Sequence, residues 1–93
     1  MIQSFQDKET QRLWNNGFSR KIPQEIQRTA FRKLVMIHRS KNLDDLRVPP
    51  GNRLERLRGA RKGQFSVRIN DQWRICFSWN DGHAYLVEII DYH

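Results

Sequence analysis

The hydrophobic positions of this chain follow two periods, and the change between them falls near residue 52. After Ile22, the residues Ile26, Ala30, Leu34 and Ile37 recur at spacings of four and three, the period of a helix with one buried face. Phe31 and Val35 widen the stripe, while Arg28, Arg32 and Arg39 fall mainly outside it. Pro23 suits a first helical position, Glu25 suits the first turn, and Ser40 to Asn42 end the helix. A shorter helix is predicted before it, capped by Asp7, presenting Leu13 and Trp14, and stopped by Gly17. The opening "IQSF" is a candidate short strand, and "NLDDLRVPPGN" holds no more than a turn of helix and a Pro-Pro-Gly loop.

From Asn52 the period is two. "RLERLRG" is a first short strand candidate. Phe65, Val67 and Ile69 then alternate with Ser66, Arg68 and Asn70, and Trp73, Ile75, Phe77 and Trp79 alternate with Arg74, Cys76 and Ser78. After "NDG", Tyr85, Val87 and Ile89 continue the pattern. These segments read as antiparallel strands with one face buried. Helices followed by strands predict an α+β domain spanning 1–93, with two N-terminal helices packed on one face of a small, mostly antiparallel sheet.

Register adds a charge problem. Keeping Phe65, Val67 and Ile69 on one face with Trp73, Ile75 and Phe77 requires an odd hairpin loop. The loop Asn70-Asp71-Gln72 then pairs Val67 with Ile75 and sets Arg68 opposite Arg74. A second three-residue loop, Asn80-Asp81-Gly82 with Gly82 left-handed, places Glu88 beside Arg74. Like charges directly opposed destabilise a sheet by up to ~1 kcal/mol. Either the two arginines are solvated on an open face, or they flank an anion that Glu88 partly replaces when it is absent. In the second case Arg53, Arg56, Arg58 and Arg61 extend the same basic face.

Charge favours the anion. Seventeen Lys and Arg against ten Asp and Glu give +7, a field that draws in nucleic acid. The cations lie in the middle of the chain; residues 75–93 have no Lys or Arg and carry only Asp81, Glu88 and Asp91 as charged side chains. The single cysteine excludes an internal disulfide and a cysteine-cluster zinc site, and the three scattered histidines make no metal motif. No apolar run approaches the ~18 residues of a membrane span, and the start has no signal-peptide layout. The expectation is a cytoplasmic protein with no membrane contact, no metal and no cofactor.

The closing triplet Asp91-Tyr92-His93 offers chemistry. Cleavage of RNA needs a base for the 2′-hydroxyl, cations for the charge that grows on the phosphate, and an acid for the leaving 5′-oxygen. Arginine suits the second role, because its planar fork binds phosphate oxygens and keeps its charge. His93 can act as acid or base near neutral pH, and Glu55 is a second candidate base. Tyr92 can stack on a nucleobase, and Asp91 can orient His93 or hold an arginine. The plainer readings are an exposed chain end, a packing tyrosine and a surface ion pair. Cys76, mid-strand, reads as a small packing residue.

The run "PPGNRLERLRGARKGQFSVRINDQWRICFSWNDGHAYLVEIIDYH" resembles the HigB group of the RelE/ParE superfamily, the plasmid maintenance killer toxins, and "MIQSF" and the helical middle match as well. The resemblance implies a ribosome-dependent messenger endoribonuclease that cuts in the decoding site through the RNA 2′-hydroxyl without a metal. It implies a HigA-like helix-turn-helix antitoxin as partner, and operator DNA bound only through the antitoxin complex. The family's C-terminal Asp-Tyr-His matches Asp91, Tyr92 and His93; its "Q-W-R" arginine matches Arg74, which the resemblance makes a candidate for stabilising transition-state charge; its basic residue before glycine matches Arg58. Some relatives carry a histidine where this chain has Glu55, so Glu55 or His93 takes that role here. Two rival readings share the fold: a ParE-like inhibitor of gyrase that cuts no RNA, and a basic RNA-binding module without catalysis.

Overall fold

A computed structural model describes residues 1–92. Asp7 caps the first helix, α1 (Lys8–Asn16), by accepting a hydrogen bond from the Thr10 amide at 3.1 Å. Gly17 ends it in the left-handed conformation at φ 76°, returning its amide to the Leu13 carbonyl at 2.8 Å. The second helix, α2 (Gln24–Arg39), begins one residue later than the pattern predicted. Pro23 has ψ 129° and stands just outside the helix as its cap residue rather than as its first turn. Ile26, Ala30, Leu34 and Ile37 are buried as expected. Gln27 and Lys33 are buried too, which the apolar stripe did not foretell.

The chain then passes through short 3₁₀ turns at Leu43–Arg47, Pro50–Asn52 and Gly59–Arg61. The sheet has four antiparallel strands in sequence order: β1 (Glu55–Arg56), β2 (Gln64–Arg68), β3 (Trp73–Asn80) and β4 (His83–Asp91). Only Glu55 and Arg56 of "RLERLRG" pair, with Ser66 and Phe65. The opening residues lie along the outer edge of β4 in parallel, through bridges Ile2–Ala84 and Phe5–Val87. They occupy backbone groups that a free edge would expose. Leu13, Ile26, Ala30, Leu34 and Ile37 meet Val67, Ile69, Ile75, Phe77, Ala84 and Val87 in one core between helices and sheet. The Thr10 hydroxyl accepts the Ile89 amide at 3.0 Å and ties α1 to β4.

The first hairpin has the predicted register. Val67 pairs with Ile75 and Arg68 with Arg74. The Asn70 side chain closes the three-residue loop by accepting the Gln72 and Trp73 amides, each at 2.8 Å. The second hairpin differs. Asn80 pairs with His83, leaving a two-residue turn in which Asp81 and Gly82 both have positive φ, 50° and 80°. That geometry matches the twist of the flanking strands. An extra residue is then taken up at Leu86, φ 54°, where the register shifts between Cys76 and Ser78. Ala84 and Val87 therefore both face the core, and Tyr85 pairs with Ser78 on the other face. Glu88 comes opposite Cys76, and Ile90 rather than Glu88 stands opposite Arg74.

A Cβ added at Gly82 would lie 3.1 Å from the Lys41 carbonyl oxygen, at a φ that side chains rarely adopt. Gly82→Ala is expected to lower unfolding free energy in urea by about 1–2 kcal/mol. Gly51→Ala, with open space around it, is expected to change it by less than about 0.5 kcal/mol.

Candidate active site

The face of the sheet turned away from the helices carries Glu55 on β1, Ser66 and Arg68 on β2, Arg74 and Cys76 on β3, and Glu88 and Ile90 on β4. The alternation predicted Ser66, Arg68, Arg74, Cys76 and Glu88 here, on an open basic surface that Arg56 was expected to extend; Glu55 takes the outer face of β1 instead, because Arg56 pairs with the inward-facing Phe65. The centre of the face is instead buried: Ser66 and Cys76 are fully covered and Arg74 is only 6% exposed.

Arg74 is held by neutral oxygens. Its Nε donates to the Ser66 hydroxyl at 2.7 Å, and one terminal nitrogen donates to the carbonyls of Arg53 and, at 3.3 Å, Ser66. Arg53 supplies its carbonyl from a left-handed backbone conformation, φ 44°, at the end of the Pro50–Asn52 turn. The other terminal nitrogen faces the Glu55 carboxylate at 4.0 Å, beyond direct hydrogen-bond length. The Tyr92 ring lies 5.6 Å from the guanidinium carbon, a cation–π separation. Tyr92 is kept there by its amide, which donates to the Gln72 carbonyl at 2.7 Å.

Carbonyls and a hydroxyl orient a guanidinium without cancelling its charge. A buried cation so arranged retains most of its attraction for an incoming phosphate, and low local polarity strengthens it. Glu55, half exposed, is the carboxylate beside it.

Of the residues picked out from the sequence, Arg74, Tyr92 and Glu55 come together, and Arg53 joins them through its backbone. Arg68 stands opposite Arg74 as expected. Its guanidinium donates to Asp71 of its own hairpin turn. Glu88, expected beside Arg74, instead accepts from Arg61 at 3.1 Å, because the two-residue turn and the bulge together carry it two residues along β3. Arg61 also donates to Gln64 at 3.1 Å, so the Gly59–Arg61 turn reaches the same face. Arg56 lies over the Phe65 ring at 5.6 Å, pairing on the opposite face from Ser66. Arg58 is exposed at the start of that turn. Asp91 pairs with Trp73 and accepts from the Gln72 side chain at 3.0 Å. His93 lies outside the described residues.

Burial pushes the Cys76 thiol up, with Glu88 adding to it against Arg61 and Arg74, which suits packing rather than a nucleophile. His38 is pulled down by burial, then by the N-terminal ammonium and Arg39, and its Nδ1 accepts the Ile2 amide at 3.2 Å. It ties the first residues to α2. Among the described residues no three His, Cys, Asp or Glu are grouped to hold a metal ion, and no helix is long and apolar enough to cross a membrane. Three surface hollows of about 310 to 400 Å³ lie around Phe18 and between His38 and His83, away from Arg74.

Sequence reasoning missed Ser66, Lys33 and Asn52. Ser66 was findable, since the predicted register sets it diagonal to Arg74 on the same face. Lys33 and Asn52 depend on how a loop folds back, which alternation does not encode.

Residues 3–93 match the family described as the RelE-like toxin of the type II toxin–antitoxin system HigB. The chain belongs to this HigB family. It is 41% identical over 85 residues to Toxin HigB-1 of Vibrio cholerae, covering 90% of each chain. It is 32% identical over 94 residues to Endoribonuclease HigB of Proteus vulgaris, covering the whole of both. Among solved structures the toxin–antitoxin complex YoeB–YefM of Staphylococcus aureus contains a similar chain, with TM-score 0.62, 16% identity, and coverage of 100% of this chain and 98% of that one. At that identity the likeness establishes the fold, two helices on an antiparallel sheet.

Ser66→Ala would leave the Arg74 Nε–H buried without its acceptor. It is expected to cost about 1–3 kcal/mol in urea unfolding. Ser78→Ala, half-buried on the same face of β3, is expected to cost less than about 0.5 kcal/mol.

Proposed function

We propose that this HigB toxin, an endoribonuclease like its Proteus relative, cuts messenger RNA on the translating ribosome by attack of the RNA 2′-hydroxyl. The observation that carries this reading is the Arg74 guanidinium, desolvated, fixed by Ser66 and the Arg53 carbonyl, and flanked by Tyr92 and Glu55. Three tasks follow. A base, Glu55 or His93, takes the 2′-hydroxyl proton, and the freed oxygen attacks the neighbouring phosphorus. Arg74 stabilises the extra negative charge on the pentavalent phosphate. As the bond to the 5′-oxygen breaks, an acid, His93 in the reading with Glu55 as base, donates a proton to it. The products are a 2′,3′-cyclic phosphate and a 5′-hydroxyl, and no metal ion is needed because the arginine supplies the positive charge.

Tyr92, 42% exposed, offers its ring to a base of the messenger while its inner side rests on Arg74. Asp91 orients the end of β4 through Gln72. Arg53, Arg58, Arg61 and Arg68 surround this centre, with Arg56 on the other face of β1, and supply contacts to messenger and ribosomal phosphates in the decoding site. Residues 1–93 act as one toxin domain in the cytoplasm. A HigA-like helix-turn-helix antitoxin neutralises it, and operator DNA is met only through that complex.

Mapping RNA 5′ ends in a purified translation system tests the reading. New ends are expected on ribosome-bound messenger and not on the same RNA alone, with at least a hundredfold fewer for His93→Ala. Cuts on naked RNA would remove the ribosome from the proposal. No cuts in either tube would remove the nuclease, and gyrase inhibition would then be assayed.

A further inference from the structure

Lys33 is a buried lysine in a small protein that already carries a large excess of positive charge. It sits on the inner half of α2, only 6% exposed, and its ammonium donates to the side-chain oxygen of Asn52. Burial pulls its pKa down first, and Arg32, Arg68 and Arg74 add to the effect, so the amine lies among like charges. Asn52 is fully buried. Its amide group donates to the carbonyls of Leu46 at 3.2 Å and Val48 at 3.4 Å, fastening the loop that precedes β1. The next residue is Arg53, whose carbonyl receives Arg74.

One continuous set of contacts thus runs from α2 through the loop to the guanidinium. Two apolar side chains of similar shape would fill the same space without desolvating an amine and an amide, but they would leave the Leu46 and Val48 carbonyls without this donor. The polar pair therefore fastens the loop to α2, which packing alone does not do.

We propose that Lys33 and Asn52 are positioning residues: together they fix the Arg53 carbonyl, and through it the orientation in which Arg74 meets the substrate phosphate. This rests on the nuclease reading for its catalytic consequence, but the ordering of Arg74 is measurable without it. Loss of the pair lets the loop settle differently, so the terminal nitrogen held by Arg53 is released while Ser66 still binds Nε.

The test compares the wild-type chain with Lys33→Met/Asn52→Leu, an apolar pair expected to fold with a lowered unfolding temperature, since the Leu46 and Val48 carbonyls lose their donor. The Arg74 side-chain N–H signals are followed by NMR. Cleavage of ribosome-bound messenger is followed for kcat and KM separately. The expected result is at least tenfold faster hydrogen exchange of the Arg74 terminal N–H groups and a tenfold to hundredfold fall in kcat, with KM changed less than threefold. Lys33→Met alone, read the same way, covers the case in which the double variant does not fold. Unchanged Arg74 exchange in a folded variant, or unchanged kcat, overturns the proposal. A wild type that cuts no RNA removes the nuclease reading alone, since the exchange comparison still reports whether the pair holds Arg74.

Discussion

A buried guanidinium whose hydrogen bonds go to neutral oxygens is the constraint around which this fold is arranged. Taking an arginine out of water costs several kcal/mol unless its donors find partners. Arg74 finds them in a hydroxyl and two backbone carbonyls, with a carboxylate held slightly too far away for a hydrogen bond. Glu55 still forms a long ion pair with it at 4.0 Å and offsets part of its charge from the half-exposed side. The neutral partners satisfy the buried donors without adding a second counter-charge.

Each element contributes to that arrangement. β2 brings Ser66 diagonal to Arg74. The turns before β1 bring the Arg53 carbonyl. The three-residue hairpin holds Gln72 where its carbonyl anchors Tyr92. The two-residue turn and the bulge at Leu86 act together on β4. Each changes the pairing by one step in the same direction, so the outer face stays outer while every residue beyond the bulge slides along β3. That slide sends Glu88 to Arg61, brings Ile90 opposite Arg74, and lets the chain arrive with Tyr92 against the guanidinium. A basic exterior surrounds this centre, and most of its arginines have local partners. Arg68 is tied to Asp71 and Arg61 to Glu88, while Arg56 rests on Phe65.

The sequence pattern was legible where physics is local. Helix periodicity, the Asp7 cap, the Gly17 stop and the odd loop at Asn70–Gln72 all follow from neighbouring residues. The second hairpin was misread because a net slide of two residues preserves which face a side chain points to, and alternation is blind to any even shift. Tyr85 and Ala84 exchange faces for the opposite reason: between the turn and the bulge the shift is a single residue, and an odd shift swaps the faces. Arg74 was singled out on charge opposition with Arg68, yet its burial and its Ser66 contact came from covering segments whose folding is non-local. The pair Lys33–Asn52 left no periodic trace. A lysine beside an apolar stripe looks like a solvated flank until a loop closes over it.

The most direct test of the account is the single-turnover rate of Arg74→Lys on ribosome-bound messenger, measured beside its cooperative unfolding. Lysine keeps a positive charge but cannot engage Ser66, the Arg53 carbonyl and a phosphate at once. The account predicts a rate lower by about a hundredfold or more, the scale of losing one preorganised transition-state donor, in a protein that still unfolds cooperatively. A folded Arg74→Lys protein that cuts at close to the wild-type rate would contradict it.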